Sequence, residues 1–134
     1  MRKNKYNKEQ SYQGAVNMLN RIKSHYNNGW FSRSDFTHYM GFKIKEIRLD
    51  LDKTQTDLSK ACDCTFQQIQ KYENGVNTIS LYKLLLLTRF FNKVIKEVNK
   101  NEEWEYIKKP YIGVETFTNP ITQLINGGDN DNKR

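Results

Sequence analysis

Cysteine is scarce: Cys62 and Cys64 are the only two in 134 residues. Two positions apart, they lie too close to staple a fold and fall short of the four ligands of a structural zinc site. The two histidines, His25 and His38, are distant in sequence and make no HExxH-like pair. No metal and no cofactor is expected. Long apolar runs are missing as well. The longest, Leu84 to Leu87, cannot span a bilayer. The basic start, Met1 to Lys8, is followed by no apolar stretch of the secretory kind, so the expectation is a cytoplasmic protein with no membrane partner. There is no set of paired carboxylates, no Ser/His/Asp arrangement and no phosphate-cradling glycine loop, and an enzyme is not expected.

Acid is in short supply in one part of the chain only. Residues 1–48 hold ten Lys or Arg against Glu9, Asp35 and Glu46, which by itself makes up the net charge of +7; the rest balances twelve bases with twelve acids. A basic arm and first helices beside a neutral body suit a polyanion, because neutralising phosphates releases condensed counterions. A solvated face that merely aids solubility would have the same composition. At 37% hydrophobic and 28% charged, the chain has room for one compact domain with flanking arms.

Apolar spacing predicts an all-α fold. Tyr12, Val16, Leu19, Ile22 and Tyr26 recur at helical intervals over Ser11 to Tyr26, and Asn27-Asn28-Gly29 ends that helix. Ser32 with Asp35 three residues on resembles a capping box and predicts a short helix over Arg33 to Tyr39. A further helix is expected from Gly41 to about Leu51. Thr54, Thr65 and Ser80 are N-caps in waiting, opening helices that end near Cys62, near Asn74 and at or beyond Phe91. A helix from Asn92 to about Ile107, continuing that one or separate from it, is suggested by Val94, Ile95, Val98 and Trp104, with Pro110 closing anything helical. Tyr111 to Phe117 is β-prone and short. Residues 127–134, rich in Gly, Asn and Asp, are expected to be disordered.

The stretch Thr54 to Gly75 carries the functional signal. Two capped helices are separated by about four residues, with small Ser59 where they cross and Leu58, Cys64 and Ile69 where they interlock. It resembles the Cro/CI (XRE) family of helix-turn-helix regulators, whose pattern runs TQxxLAxxxxVTxxxIxxYExG. The likeness covers about Gly41 to Asn92 and is nearest to a bacterial branch reading TFQQxQKYExGxNRIS, matched from Thr65 to Ser80. Three departures stand out. Asp63 occupies the turn position that usually holds Gly, Lys53 replaces an expected Leu for which Leu49 or Leu51 could substitute, and Thr78 stands where the branch has Arg.

The resemblance implies a lambda-repressor-like domain over 41–92, preceded by a basic arm and helical extension (1–40) and followed by a C-terminal helix and tail (93–134). It implies a sequence-specific regulator of transcription, a repressor, that reads the major groove of double-stranded DNA as a homodimer. Gln67 is the foremost candidate for a base contact, since its amide donates and accepts together and so matches adenine. Lys71 one turn on could meet guanine or phosphate, with Gln68 and Gln70 behind it; Phe66 could press on a thymine methyl or pack against the preceding helix. Thr54, Gln55, Thr65, Asn74, Asn77, Ser80 and Lys83 are the candidates for phosphate contacts. Tyr72, Leu58, Ile69, Leu84, Leu87 and Phe91 are expected in the core, and Glu73 in an ion pair with Arg48. Leu81, Leu85, Leu86 and Phe90 form a surplus apolar face, open either to a dimer partner or to the Ser11–Tyr26 helix. An antitoxin-like role, with a protein partner gripped through 1–40 or 93–134, is the alternative.

Overall fold

A computed structural model describes residues 6–131, with side chains as far as residue 126. The described residues form six α-helices and one short 3-10 turn: α1 Lys8–Asn27, α2 Arg33–Asp50, α3 Gln55–Cys62, α4 Phe66–Glu73, α5 Leu81–Asn99, the turn Glu105–Ile107, and α6 Val114–Asp131. The all-α expectation holds. The arm at 1–5 lies outside the described residues, and Lys8 already belongs to α1. Of the tail expected to be disordered, the backbone to Asp131 continues α6, and 132–134 lie outside the described residues.

Short polar side chains set where the helices begin. Ser32 and Thr54 each close a capping box with an Asp three residues later, Asp35 and Asp57, while Thr65 and Ser80 accept the backbone N–H of Gln68 and Lys83. One orphan backbone donor at each of these four starts is thereby satisfied, which offsets part of the cost of beginning a helix.

Gly41 does not divide two helices as expected. It sits in the middle of α2, which runs unbroken from Arg33 to Asp50. A Cβ there would collide with the backbone carbonyl of Tyr72 and come within 2.9 Å of that of Glu73, so the glycine is where α2 crosses the end of α4. Its helix-breaking tendency, about 1 kcal/mol, is outweighed by the packing it permits.

α5 ends at Asn99, short of the expected Ile107, and a further departure lies after Pro110. The β-prone stretch is instead a lead-in to α6: residues 109–112 run extended beside α5, held by two asparagines. Asn92 donates to Ile112 O (2.8 Å) and accepts from Ile112 N (2.7 Å), and Asn99 pairs in the same way with Lys109 at 2.9 and 2.8 Å. These amides replace the backbone partners that an isolated extended segment lacks. Val114 then starts a helix whose Phe117 and Ile121 are buried at helical spacing.

Two apolar clusters share α2 as a wall. The larger gathers Met40, Ile44, Leu51, Leu58, Ile69, Tyr72, Leu84, Leu87, Phe91 and Phe117; the smaller joins Ile22 of α1, Tyr39 of α2 and Ile121 of α6. All six residues expected in the core are there. Of the two leucines that could stand in for the one expected at Lys53, Leu51 is buried in this cluster and Leu49 is half-buried. α1 packs against α2 and α6 and leaves Leu81 and Leu85 of α5 exposed, with Leu86 and Phe90 half-buried.

Candidate nucleic-acid interface

α3 and α4 are short helices joined by a tight turn. Asp63 takes up the left-handed conformation there (φ 52°, ψ 54°), the conformation that usually calls for glycine and that Asp tolerates better than most residues. Cys64 N–H then returns to Ser59 O at 3.0 Å. Ser59 is buried at the crossing and donates to Thr56 O (2.7 Å), so neither bulk nor an unpaired hydroxyl interferes with the approach of α4. Burial pushes the Cys62 thiol up to about 12, with the neighbouring Cys64 as a lesser cause, so both its chemistry and its packing are those of a small apolar residue.

α4 is two-faced. Ile69, Tyr72 and Glu73 are buried, whereas Phe66, Gln67, Gln70 and Lys71 are exposed and Gln68 is half-buried. The polar side of the rod thus points to solvent. Phe66, at 42% exposure, is split between the two environments that its alternatives require. Gln68 donates to Asn77 Oδ1 at 3.3 Å, which ties the loop after α4 to the helix itself.

Glu73 is held from three directions. Arg48 grips it with two charge-assisted bonds, Nε to Oε2 at 2.6 Å and Nη2 to Oε1 at 2.9 Å, and Gln55 donates to Oε1 at 3.0 Å. Arg48 also donates to Lys53 O (3.0 Å). The ion pair expected from sequence is therefore present and buried. It fastens the end of α4 to both α2 and the start of α3.

The expected phosphate contacts sort into two groups. Thr54, Thr65 and Ser80 use their hydroxyls as caps; Asn74, Asn77, Thr65 and Ser80 are exposed around the ends of α4 and the start of α5. Gln55 and Lys83 have internal uses instead. Gln55 is bound to Glu73, and Lys83 Nζ bonds the carbonyls of Cys62 (2.6 Å) and Asp63 (3.2 Å), completing the C-terminal end of α3. Thr78, in the position where the branch has Arg, bonds its hydroxyl to that of Thr37 on α2. Motif spacing gave no hint of these two internal roles, because the partners come from other elements.

Comparison with known proteins places this geometry. The helix-turn-helix family model matches residues 44–96. An uncharacterised HTH-type transcriptional regulator of Rickettsia conorii is 33% identical over 69 residues, covering 46% of this chain and 55% of that protein. A similarly named protein of Rickettsia prowazekii is also 33% identical over 69 residues, covering 46% and 53%, and one from Sinorhizobium fredii is 31% identical over 72 residues, covering 48% and 50%. The chain thus spans about half the length of these curated relatives. No solved structure matches it. The family match and the capped, tightly turned pair α3 and α4 agree that residues 44–96 carry a helix-turn-helix.

Proposed function

We propose that this chain is a DNA-binding regulator of transcription, a repressor, that lays α4 in the major groove and binds as a homodimer. The observation that carries the reading is the division of α4: one face is locked into α2 and α3, and the other presents Gln67, Gln70 and Lys71 to solvent. A groove-reading helix needs that combination, because side chains reach base edges reproducibly only from a fixed axis. Gln67 is assigned to adenine, at about 1–3 kcal/mol of discrimination, with Lys71, Gln68, Gln70 and Phe66 completing the reading set. Thr54, Thr65, Asn74, Asn77 and Ser80 are assigned to the phosphates on either side. The names of the relatives, all HTH-type transcriptional regulators, support the class.

One half-site binds too weakly for control, and a two-fold dimer reads two of them about one helical turn apart. The exposed Leu81, Tyr82 and Leu85 at the start of α5 are assigned to that seam. The test is selection of duplexes from a random pool with the full chain and with Gln67→Ala. A palindrome containing A is expected, with preference relaxed at one position per half-site in the variant. Absence of any selected sequence would sink the reading.

A second reading, a regulator that also grips a protein partner in the manner of an antitoxin, draws support from the α5–α6 connection. Trp104, Tyr106 and Tyr111 are 60%, 84% and 62% exposed there, and Trp104 and Tyr106 lie with ring centres 6.4 Å apart. Exposed aromatics in one place are what partner surfaces favour. A toxin encoded beside this chain, binding the wild type and not a Trp104→Ala/Tyr106→Ala variant, would establish it; binding unaffected by that variant would refute it.

A further inference from the structure

A polar recess of about 570 Å3 opens between the first turns of α2 and the loop that follows α4, and neither motif nor family match includes its α2 side. Arg33, Ser34 and Thr37 line it from α2, and Asn77 and Thr78 from the loop. Among the described residues, Arg33 is the one charged side chain in its lining. It is exposed, and among the described residues its guanidinium has no hydrogen-bond or ion-pair partner. The acid nearest in sequence, Asp35, is buried and otherwise engaged: it accepts from Ser32 N–H at 3.3 Å and lies 3.0 Å from His25 Nδ1.

The walls are tied together. The hydroxyls of Thr37 and Thr78 bond across the gap, and the His38 ring lies under Gly75, so closely that a Cβ at Gly75 would stand 2.7 Å from it. The recess is also continuous with the reading helix. Asn77 is the acceptor for Gln68, and Val76 N–H returns to Lys71 O at 2.8 Å. The recess thus adjoins the end of α4, the helix that exposes Gln67 and Lys71.

Resting on the DNA-binding reading, we infer that Arg33 and this recess hold a backbone phosphate of the bound duplex. Thr78 leaves the loop without a cation, and Arg33 supplies one from a different helix, across the threonine pair. The chemistry fits: a guanidinium offers a planar fork of donors to two phosphate oxygens, and the neighbouring Ser34 hydroxyl and Asn77 amide can add neutral donors. Such a contact positions the protein and carries no base preference.

The test takes the duplex selected by the full chain and measures affinity across a salt series for wild type, Arg33→Ala and Arg33→Lys. Arg33→Ala should weaken binding about tenfold and lower the slope of log affinity against log salt by about one, with the ranking of duplex sequences unchanged. Arg33→Lys should keep the slope. Thermal unfolding of Arg33→Ala should match wild type, as expected for an exposed side chain without internal partners. Equal affinity and slope in wild type and Arg33→Ala would overturn the site and leave the regulator reading intact. A wild type that selects no duplex would overturn that reading, and the site with it.

Discussion

Arg48 and Glu73 meet in a two-pronged ion pair, at 2.6 and 2.9 Å, with their side chains 9% and 1% exposed. The pair joins the last turn of α2 to the last residue of α4. Removing either partner strands a buried charge, so Arg48→Ala or Glu73→Ala should each cost about 3–5 kcal/mol in urea unfolding. The double replacement Arg48→Met/Glu73→Leu should recover most of that. If the single changes leave stability within about 1 kcal/mol of wild type, the pair is not the fastening described here.

Gly41→Ala inverts the usual helix rule. In an exposed helix the change would add about 1 kcal/mol, but here the new methyl meets the carbonyls of Tyr72 and Glu73, which are backbone and cannot swing aside. A net loss of about 1–3 kcal/mol is expected from overpacking, together with weaker DNA binding as α4 is pushed off its axis. Stabilisation on thermal unfolding would contradict the crossing.

Alkali should unfold the protein before its surface chemistry alone would. Burial raises both the Cys62 thiol and the Tyr39 phenol to about 12, from ordinary values of 9.0 and 10.0. The folded state therefore keeps protons that the unfolded chain has released. Stability from these groups is complete below about pH 9 and is lost as pH rises towards 12. Urea midpoints measured from pH 8 upward should fall across this window, and less steeply in Cys62→Ala; identical slopes would remove Cys62 from the account.

Leu81 and Leu85 are 63% and 48% exposed, so Leu81→Glu/Leu85→Glu should barely alter the stability of the monomer. Sedimentation should show a loss of dimer, and affinity for a duplex with two half-sites should fall towards that for one. A variant that stays dimeric would move the seam elsewhere.

Asn92→Ala removes both bonds that hold Ile112. With two backbone groups losing their partner, about 1–3 kcal/mol is expected, and amide hydrogen exchange should rise from residue 109 into α6 before it rises in α3 or α4. Uniform protection across both regions would count against the clamp.

Much of this fold could be read from single residues at helix starts. Ser32, Thr54, Thr65 and Ser80 cap where their type and spacing said they would, and the left-handed Asp63 turn and the Arg48–Glu73 pair also followed from sequence. At Gly41 and over 111–117 local propensity misleads because a distant partner decides: the α4 carbonyls for Gly41, the asparagines of α5 for Ile112. The spacing of Phe117, Ile121, Leu124 and Ile125 was the available sign of α6. At the interface, the exposed glutamines were legible because the motif fixes their face. The diversion of Gln55 to Glu73 and of Lys83 to α3 was not, and neither was Arg33, which lies outside the motif.

Because α2 is a partition with apolar residues on both sides, the borders of the family match are poor places to cut this chain. A fragment starting at residue 44 would begin inside α2, without Met40 and Gly41, and one that also omits α1 and α6 would leave the other side of α2 bare. Anyone seeking a minimal piece should keep α1, the whole of α2 from its Ser32 cap, and α6. Fragments trimmed to the motif should aggregate more readily than the full chain.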